Sequence, residues 1–168
     1  MTNANVQYYV EGEDERKLIN VLKTDLQMII PGKVDVFNAI CQNITKARLI
    51  SMKPKTIVVL VFDTDVGNKD ILLRNIDAFK KCKNVIDVIL IPQNKNLEDE
   101  LVRSCNIKEA KELLGSQGKH KFKSDFIKAS NLPSKLKEKG FNIKKLWGSD
   151  GTGSFMGIKN GSNKIMFK

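Results

Sequence analysis

At 168 residues, 41% of them hydrophobic, the chain has the length of one ordinary domain with its own core. No apolar run approaches the roughly 20 residues of a membrane helix, and the first ten residues have neither a basic n-region nor an apolar h-region, so a cytoplasmic protein with no membrane partner is expected. The net charge of +10 is uneven: residues 1–103 hold 15 Lys and Arg against 14 Asp and Glu, while residues 104–168 hold 14 lysines against five acids, which favours nucleic acid as a partner.

In chain order, short apolar runs alternate with segments of helical period, the pattern of an α/β fold with a mostly parallel central sheet flanked by helices. "VQYYV" (6–10) reads as the first strand. "EDERKLINVLKTDL" (13–26) reads as a helix with Leu18, Ile19, Leu22 and Leu26 on one face and acids in its first turn. The Pro31-Gly32 breaker separates it from a second strand, "KVDVF" (33–37), and a helix is expected over 38–52, stopped by Pro54. "TIVVLVF" (56–62) is apolar at almost every position and reads as a strand buried on both faces. A helix over 68–82, a second buried strand over 85–92 and a short helix from near Asn96 follow. Beyond these, helical pieces at 107–115 and 125–140 bracket a polar stretch, "SQGKHKFKS" (116–124), and residues 154–168 read as a hairpin around Asn160-Gly161. The three cysteines, Cys41, Cys82 and Cys105, lack CxxC spacing and read as buried reduced thiols.

Ligands of an open parallel sheet collect outside the carboxyl ends of its strands. Acids stand at three such ends: Glu11 after the first strand, Asp63 and Asp65 after the third, Glu98 and Asp99 shortly after the fourth. The i, i+2 spacing of the aspartates lets both face one hard cation in extended chain. Two like charges at the mouth of a buried sheet repel, and a bound cation offsets that cost most readily. Glu13, Asp14 and Glu15 have a competing explanation, because acids are common at helix N-termini for dipole reasons alone. Asp70 and Asp77 read as solvated charges on the following helix.

The pairing of "YYVEGEDE" with "VFDTD" resembles the Toprim domain shared by topoisomerases, primases, OLD-type nucleases and ribonuclease M5-like enzymes. The Toprim pattern is a strand ending in Glu-Gly, a helix, and later a buried strand ending in Asp-x-Asp. Glu11-Gly12 and Asp63-Thr64-Asp65 match it, and Glu15 completes an EGxxE that places the chain nearest the OLD-like and RloB-like nucleases of phage-defence systems. The resemblance implies a Toprim-like Rossmannoid core over residues 1–105 with a lysine-rich C-terminal extension, 106–168, packed on the same domain and ending in the hairpin. It implies a metal-dependent nuclease that hydrolyses phosphodiesters with Mg²⁺, or Mn²⁺ in its place, held by Glu11, Glu15, Asp63, Asp65 and Glu98. Glu11, Asp63 and Asp65 are the catalytic acids on that reading. The family's catalytic lysine has three candidates, Lys119, Lys121 and Lys123, which also serve for nucleic-acid binding; sequence does not separate them, and Lys121 stands for the catalytic role.

Departures narrow the class. The only tyrosines, Tyr8 and Tyr9, lie in the first strand, so topoisomerase chemistry lacks its nucleophile. No Walker A motif exists, "GSDGTGS" lacking the lysine, so any ATPase must be a separate subunit. A haloacid-dehalogenase phosphatase would carry its DxD after the first strand and Thr or Val where Gly67 stands. The alternative from another class is a non-catalytic nucleic-acid-binding or assembly subunit. His120 reads as part of the cationic surface, and Phe141 and Trp147 as core residues more readily than as base-stacking platforms.

Overall fold

The computed structural model describes residues 4–167, so the first three residues and Lys168, the last residue of the expected hairpin, lie outside it. Strands β1 (Asn5–Val10), β2 (Lys33–Val36), β3 (Thr56–Asp63) and β4 (Val85–Gln93) form one sheet in the order β2-β1-β3-β4, parallel throughout. Helices α1 (Glu13–Asn20), α2 (Lys46–Ile50), α3 (Lys69–Lys81), α4 (Leu97–Ser104), α5 (Lys119–Lys128) and α6 (Leu132–Glu138) flank it, a Rossmann-like arrangement. No helix among the described residues is long and apolar enough to cross a membrane.

β3 is apolar at nearly every position because both its faces are covered. Val59 and Val61 join Leu18, Leu22, Ile89 and Ile91 on one side; Val58, Leu60 and Phe62 join Tyr9, Leu72, Phe79 and Phe155 on the other. The lysine-rich half contributes Leu113, Phe122, Phe126, Leu132, Leu136, Leu146, Trp147 and Ile165 to the first of these clusters. Its lysines are therefore the outer surface of segments whose apolar residues complete the core.

Several local expectations are overridden. The helix expected over 38–52 survives only as α2, because the buried Asn75 of α3 donates to the carbonyls of Ala39 and Gln42 and accepts from the Ile44 N–H, replacing helical bonds. The helix expected over 13–26 ends in a π-helical turn, Val21–Asp25, in which the Leu26 N–H reaches the Val21 carbonyl. Of residues 107–115 only Ala110–Leu113 is helical, as a 3₁₀ turn. The polar stretch 116–124 instead opens α5, anchored by Phe122 and Phe126, one turn apart and both buried.

No hairpin forms at the C-terminal end of the described residues. The Asn160 side chain bonds the carbonyls of Trp147 and Ser149, and the Gly161 N–H donates to Leu90 O at 2.8 Å, so this segment covers the open edge of β4. Two 3₁₀ turns, Gly153–Phe155 and Ser162–Lys164, take the hairpin's place, and Met166 forms an isolated antiparallel bridge with Ile29. Cys105 is buried, Cys82 half-buried and Cys41 exposed, so only one thiol meets the expectation for all three.

The strand order also fixes where a site can be. β2 lies to one side of β1 and β3 to the other, so the order of strand addition switches between β1 and β3, the position at which an open parallel sheet forms a crevice outside its carboxyl ends.

Candidate metal centre

Glu11 follows β1 and Asp63 ends β3, which brings two acids 52 residues apart in sequence to that crevice. The Asp63 N–H donates to Glu11 Oε1 at 3.3 Å. Beyond Asp63, buried Thr64 turns away: its hydroxyl donates to Gln93 O at 2.9 Å and meets the Thr152 hydroxyl at 2.9 Å. Asp65 is exposed and accepts from Asn96 Nδ2 at 3.3 Å, just before α4.

α1 begins at once after Gly12, whose N–H donates to Glu15 Oε2 at 2.9 Å, the reach-back half of a capping box. One carboxylate oxygen of Glu15 thus caps its own helix. Asp14 and Glu15 are nonetheless almost fully buried, at 3% and 4% exposure, because each stands one turn before a core residue, Leu18 and Ile19 respectively. Asp14 Oδ1 is buried outside hydrogen-bond geometry with any partner, although Lys123 Nζ of α5 stands 3.2 Å away as an ion-pair neighbour. A Cβ on Gly12 would lie 2.8 Å from Asp14 Oδ1, 3.2 Å from Glu15 Oε2 and 3.6 Å from Lys123 Nζ. The constraint is one of space and not of backbone angle, since a φ of −146° suits any residue: a side chain at position 12 would have to displace the Asp14 carboxylate.

Burial and mutual repulsion hold several of these acids toward their protonated forms. Burial pushes the Asp63 carboxyl up to about 8; Glu11, Asp65 and Glu98 add to the rise, and the bond from Gln93 opposes it. Glu11 is pushed up to about 7, first by burial and then by Glu15 and Asp65, against the bond it accepts from the Asp63 N–H and the charge of Lys123. Glu15 lies well above the usual carboxylate range through burial and then the neighbouring Asp14. For Lys123 burial pulls downward, but Asp14, Glu15 and Glu98 together outweigh it and the ammonium is favoured.

Of the five sequence-predicted ligands, Glu11, Glu15 and Asp63 share the interior of the crevice, while Asp65 and half-buried Glu98 stand at its rim. The three candidate lysines separate on α5. Lys119 and Lys123, one turn apart, lie on the side facing Glu98: Lys119 lines a cleft with Glu98, Asp99 and Phe122, and Lys123 reaches Asp14. Lys121 is exposed and falls on the other side of the helix.

The acids suit a hard divalent cation better than they suit one another. Like charges converge in a partly buried crevice, and Asp14 Oδ1 has an ion-pair neighbour, Lys123 Nζ at 3.2 Å, but no partner in hydrogen-bond geometry. Among the described residues no three His, Cys, Asp or Glu side chains are gathered as a ready-made cage. Magnesium does not require one, since it is commonly bound through one or two carboxylates and keeps several waters. A separate groove of about 860 Å³ along the first half of β1 and β2 carries Arg16, Lys33, Arg48 and Lys53 against Asp35, and none of the five acids.

Two site residues escaped sequence reasoning. Asp14 was legible, since its i+4 relation to Leu18 puts it on the buried stripe. Gln93 lies opposite Asp63 in the β3–β4 register and donates to its Oδ1 at 2.6 Å. Its signal was alternation, because Ile89, Ile91 and Gln93 fall on one face of the strand. Comparison with protein-family models, with curated proteins and with solved structures finds no match.

Proposed function

We propose that the chain is a Mg²⁺-dependent nuclease of the Toprim kind, hydrolysing phosphodiester bonds in nucleic acid. We place it as the effector subunit of an anti-phage defence system, in which any ATPase it requires is a separate subunit. The observation that carries this reading is the meeting of Glu11 and Asp63 at the sheet's switch point, where the Asp63 N–H bonds Glu11 Oε1. The EGxxE and DxD motifs at the ends of β1 and β3 support the class of chemistry, and the 14 lysines beyond residue 103 support a polyanionic substrate.

Glu11 and Asp63 would hold the cation, with Glu15, Asp65 and Glu98 as further acids around it. Bound there, Mg²⁺ supplies positive charge against the phosphate oxygens and lowers the pKa of a coordinated water. Hydrolysis forms a bond from water oxygen to phosphorus, breaks the bond to the leaving oxygen, and requires a proton for that oxygen. Lys123, held as an ammonium beside Asp14 and Glu15, would stabilise the charge that develops on the phosphate, and the proton for the leaving oxygen would come from solvent. Lys119 and Lys121 are left for contacts to flanking phosphates.

The test is incubation of the protein, alone and with its cognate ATPase partner, with Mg²⁺ or Mn²⁺ and a panel of DNA, RNA and tRNA. Cleavage by the wild type and its loss in an Asp63→Ala, Asp65→Ala double variant is the expected result. Identical behaviour of the two proteins on every substrate removes the nuclease reading. If both bind nucleic acid with steep salt dependence and neither cuts, the chain is a binding subunit instead.

A further inference from the structure

We infer that Gln93 is the positioning residue for Asp63, and that Trp147 sets the orientation of Gln93 and makes the chain's one tryptophan an optical reporter of cation binding at Asp63. The inference rests on the reading that Asp63 holds a divalent cation.

Gln93 ends β4 directly opposite Asp63, and its side chain has no solvent exposure. A buried primary amide must satisfy both of its ends within the protein. One end faces the indole of Trp147, whose Nε1 can only donate; it does so to Gln93 Oε1 at 3.2 Å. That contact leaves the NH₂ end, which also can only donate, pointing at Asp63 Oδ1 at 2.6 Å. The orientation of the amide therefore follows from the chemistry of the indole. Asp63 Oδ1 thus accepts from the protein, and the bond fixes how the carboxylate is turned.

Trp147 is itself held with unusual firmness. Its φ of 55° is in the left-handed region, which a bulky residue adopts only where the surrounding structure holds it there. Its N–H donates to Oε2 of the fully buried Glu100 at 3.0 Å, and its carbonyl accepts from Asn160 Nδ2 and from Ser162 Oγ. Glu100 Oε1 accepts from the Asn94 N–H at 2.7 Å and pairs with Arg103 Nη2 at 2.8 Å. A chain of directed bonds thus runs from Glu100 through Trp147 and Gln93 to Asp63. Through Trp147 it ties the lysine-rich half of the sequence to the acid that the β3 strand presents. Charge placed on Asp63 changes the bond at the far end of the same amide, which is the bond to the indole.

The test uses the full chain, titrated with Mn²⁺ while tryptophan emission is followed and heat of binding is measured in parallel. A saturable change in emission with the same midpoint as the heat is expected. Gln93→Leu removes the donor to Asp63 and should weaken Mn²⁺ binding about tenfold with its circular dichroism unchanged. Trp147→Phe keeps a ring in the core and frees the amide to rotate; a loss of about threefold is expected by calorimetry, and this variant serves if Gln93→Leu does not fold. Equal Mn²⁺ affinity in wild type and in whichever of these variants folds overturns the positioning role. Binding by wild type without an emission change overturns the reporter. An absence of Mn²⁺ binding to wild type, measured by heat alone, overturns the metal reading and with it this inference.

Discussion

The backbone N–H of Asp63 donates to the side chain of Glu11 at 3.3 Å, joining the ends of β3 and β1 at the point where the sheet reverses its strand order. The bond steadies Glu11 but does not neutralise it. Two acids are therefore held side by side in partial burial, which the chain tolerates most easily when they share a proton or a cation.

Stability should therefore depend on pH and on divalent ions together. A carboxyl whose folded pKa exceeds its unfolded value binds more protons folded than unfolded, so stability is full below the unfolded value and falls as pH rises through the folded one. For Asp63 that window runs from about 4 in the unfolded chain to about 8 in the folded protein. In ion-free buffer, thermal unfolding should move down by several degrees between pH 5 and pH 8.5, and excess Mg²⁺ should restore most of the loss at the upper end only. Asp63→Asn should abolish the Mg²⁺ effect while unfolding at a higher temperature than wild type at pH 8.5. A transition that ignores both pH and Mg²⁺ contradicts the electrostatics of the crevice.

The two sides of α5 predict different lysine phenotypes. Lys123→Ala leaves Asp14 buried beside Glu15 without its counter-charge, and should cost about 1 kcal/mol after allowing for the exposure of the lysine. On the proposed nuclease reading, cleavage should fall at least about a hundredfold, the range for a lost group that stabilises transition-state charge. Lys121→Ala should stay within about 0.5 kcal/mol of wild type and weaken nucleic-acid binding only through its salt-dependent part. Urea denaturation and single-turnover cleavage decide between them; larger effects from Lys121 would place the wrong lysine at the centre.

Gly67, three residues into the loop after Asp63 and Thr64, has a φ of +100° and packs so closely on Ile40 that an added Cβ would collide with that side chain. Gly67→Ala should destabilise the protein by about 1–3 kcal/mol, and displacement of the loop should lower Mn²⁺ affinity as well. Denaturation curves that superimpose on wild type would mean that the loop relaxes freely.

Glu100 has no solvent exposure and takes two backbone N–H bonds and one guanidinium. Glu100→Ala should cost about 2–4 kcal/mol, as expected when buried donors and an arginine lose their acceptor. Limited proteolysis should then cut within residues 145–160 faster than in wild type. Unchanged protection there would show that the apolar contacts of Trp147 and Phe155 alone hold the segment.

Much of this molecule could be read from residues close together in sequence. Four apolar runs of strand length, with helical periods between them, are enough for a parallel sheet, because a strand covered on both faces must be apolar throughout. The acids at 11, 63 and 65 were legible for the same reason, since a charged residue that ends such a run stands where the sheet opens to solvent. Asn75 shows where local reading stops: a side chain on α3 captures the backbone of residues 39–44, and no periodicity within that segment records it. Asn160 does the same to the expected hairpin by bonding the backbone of Trp147 and Ser149.

Sequence by itself determined the class of fold, the order of its first four strands along the chain and the acids at their ends, because burial and alternation act over a few residues. Tertiary structure alone decided which acids meet, which lysine stands beside them and how Gln93 comes to aim at Asp63. Those outcomes depend on strand order and on contacts between residues 30 to 110 positions apart, and hydrogen-bond direction across such distances has no local signature.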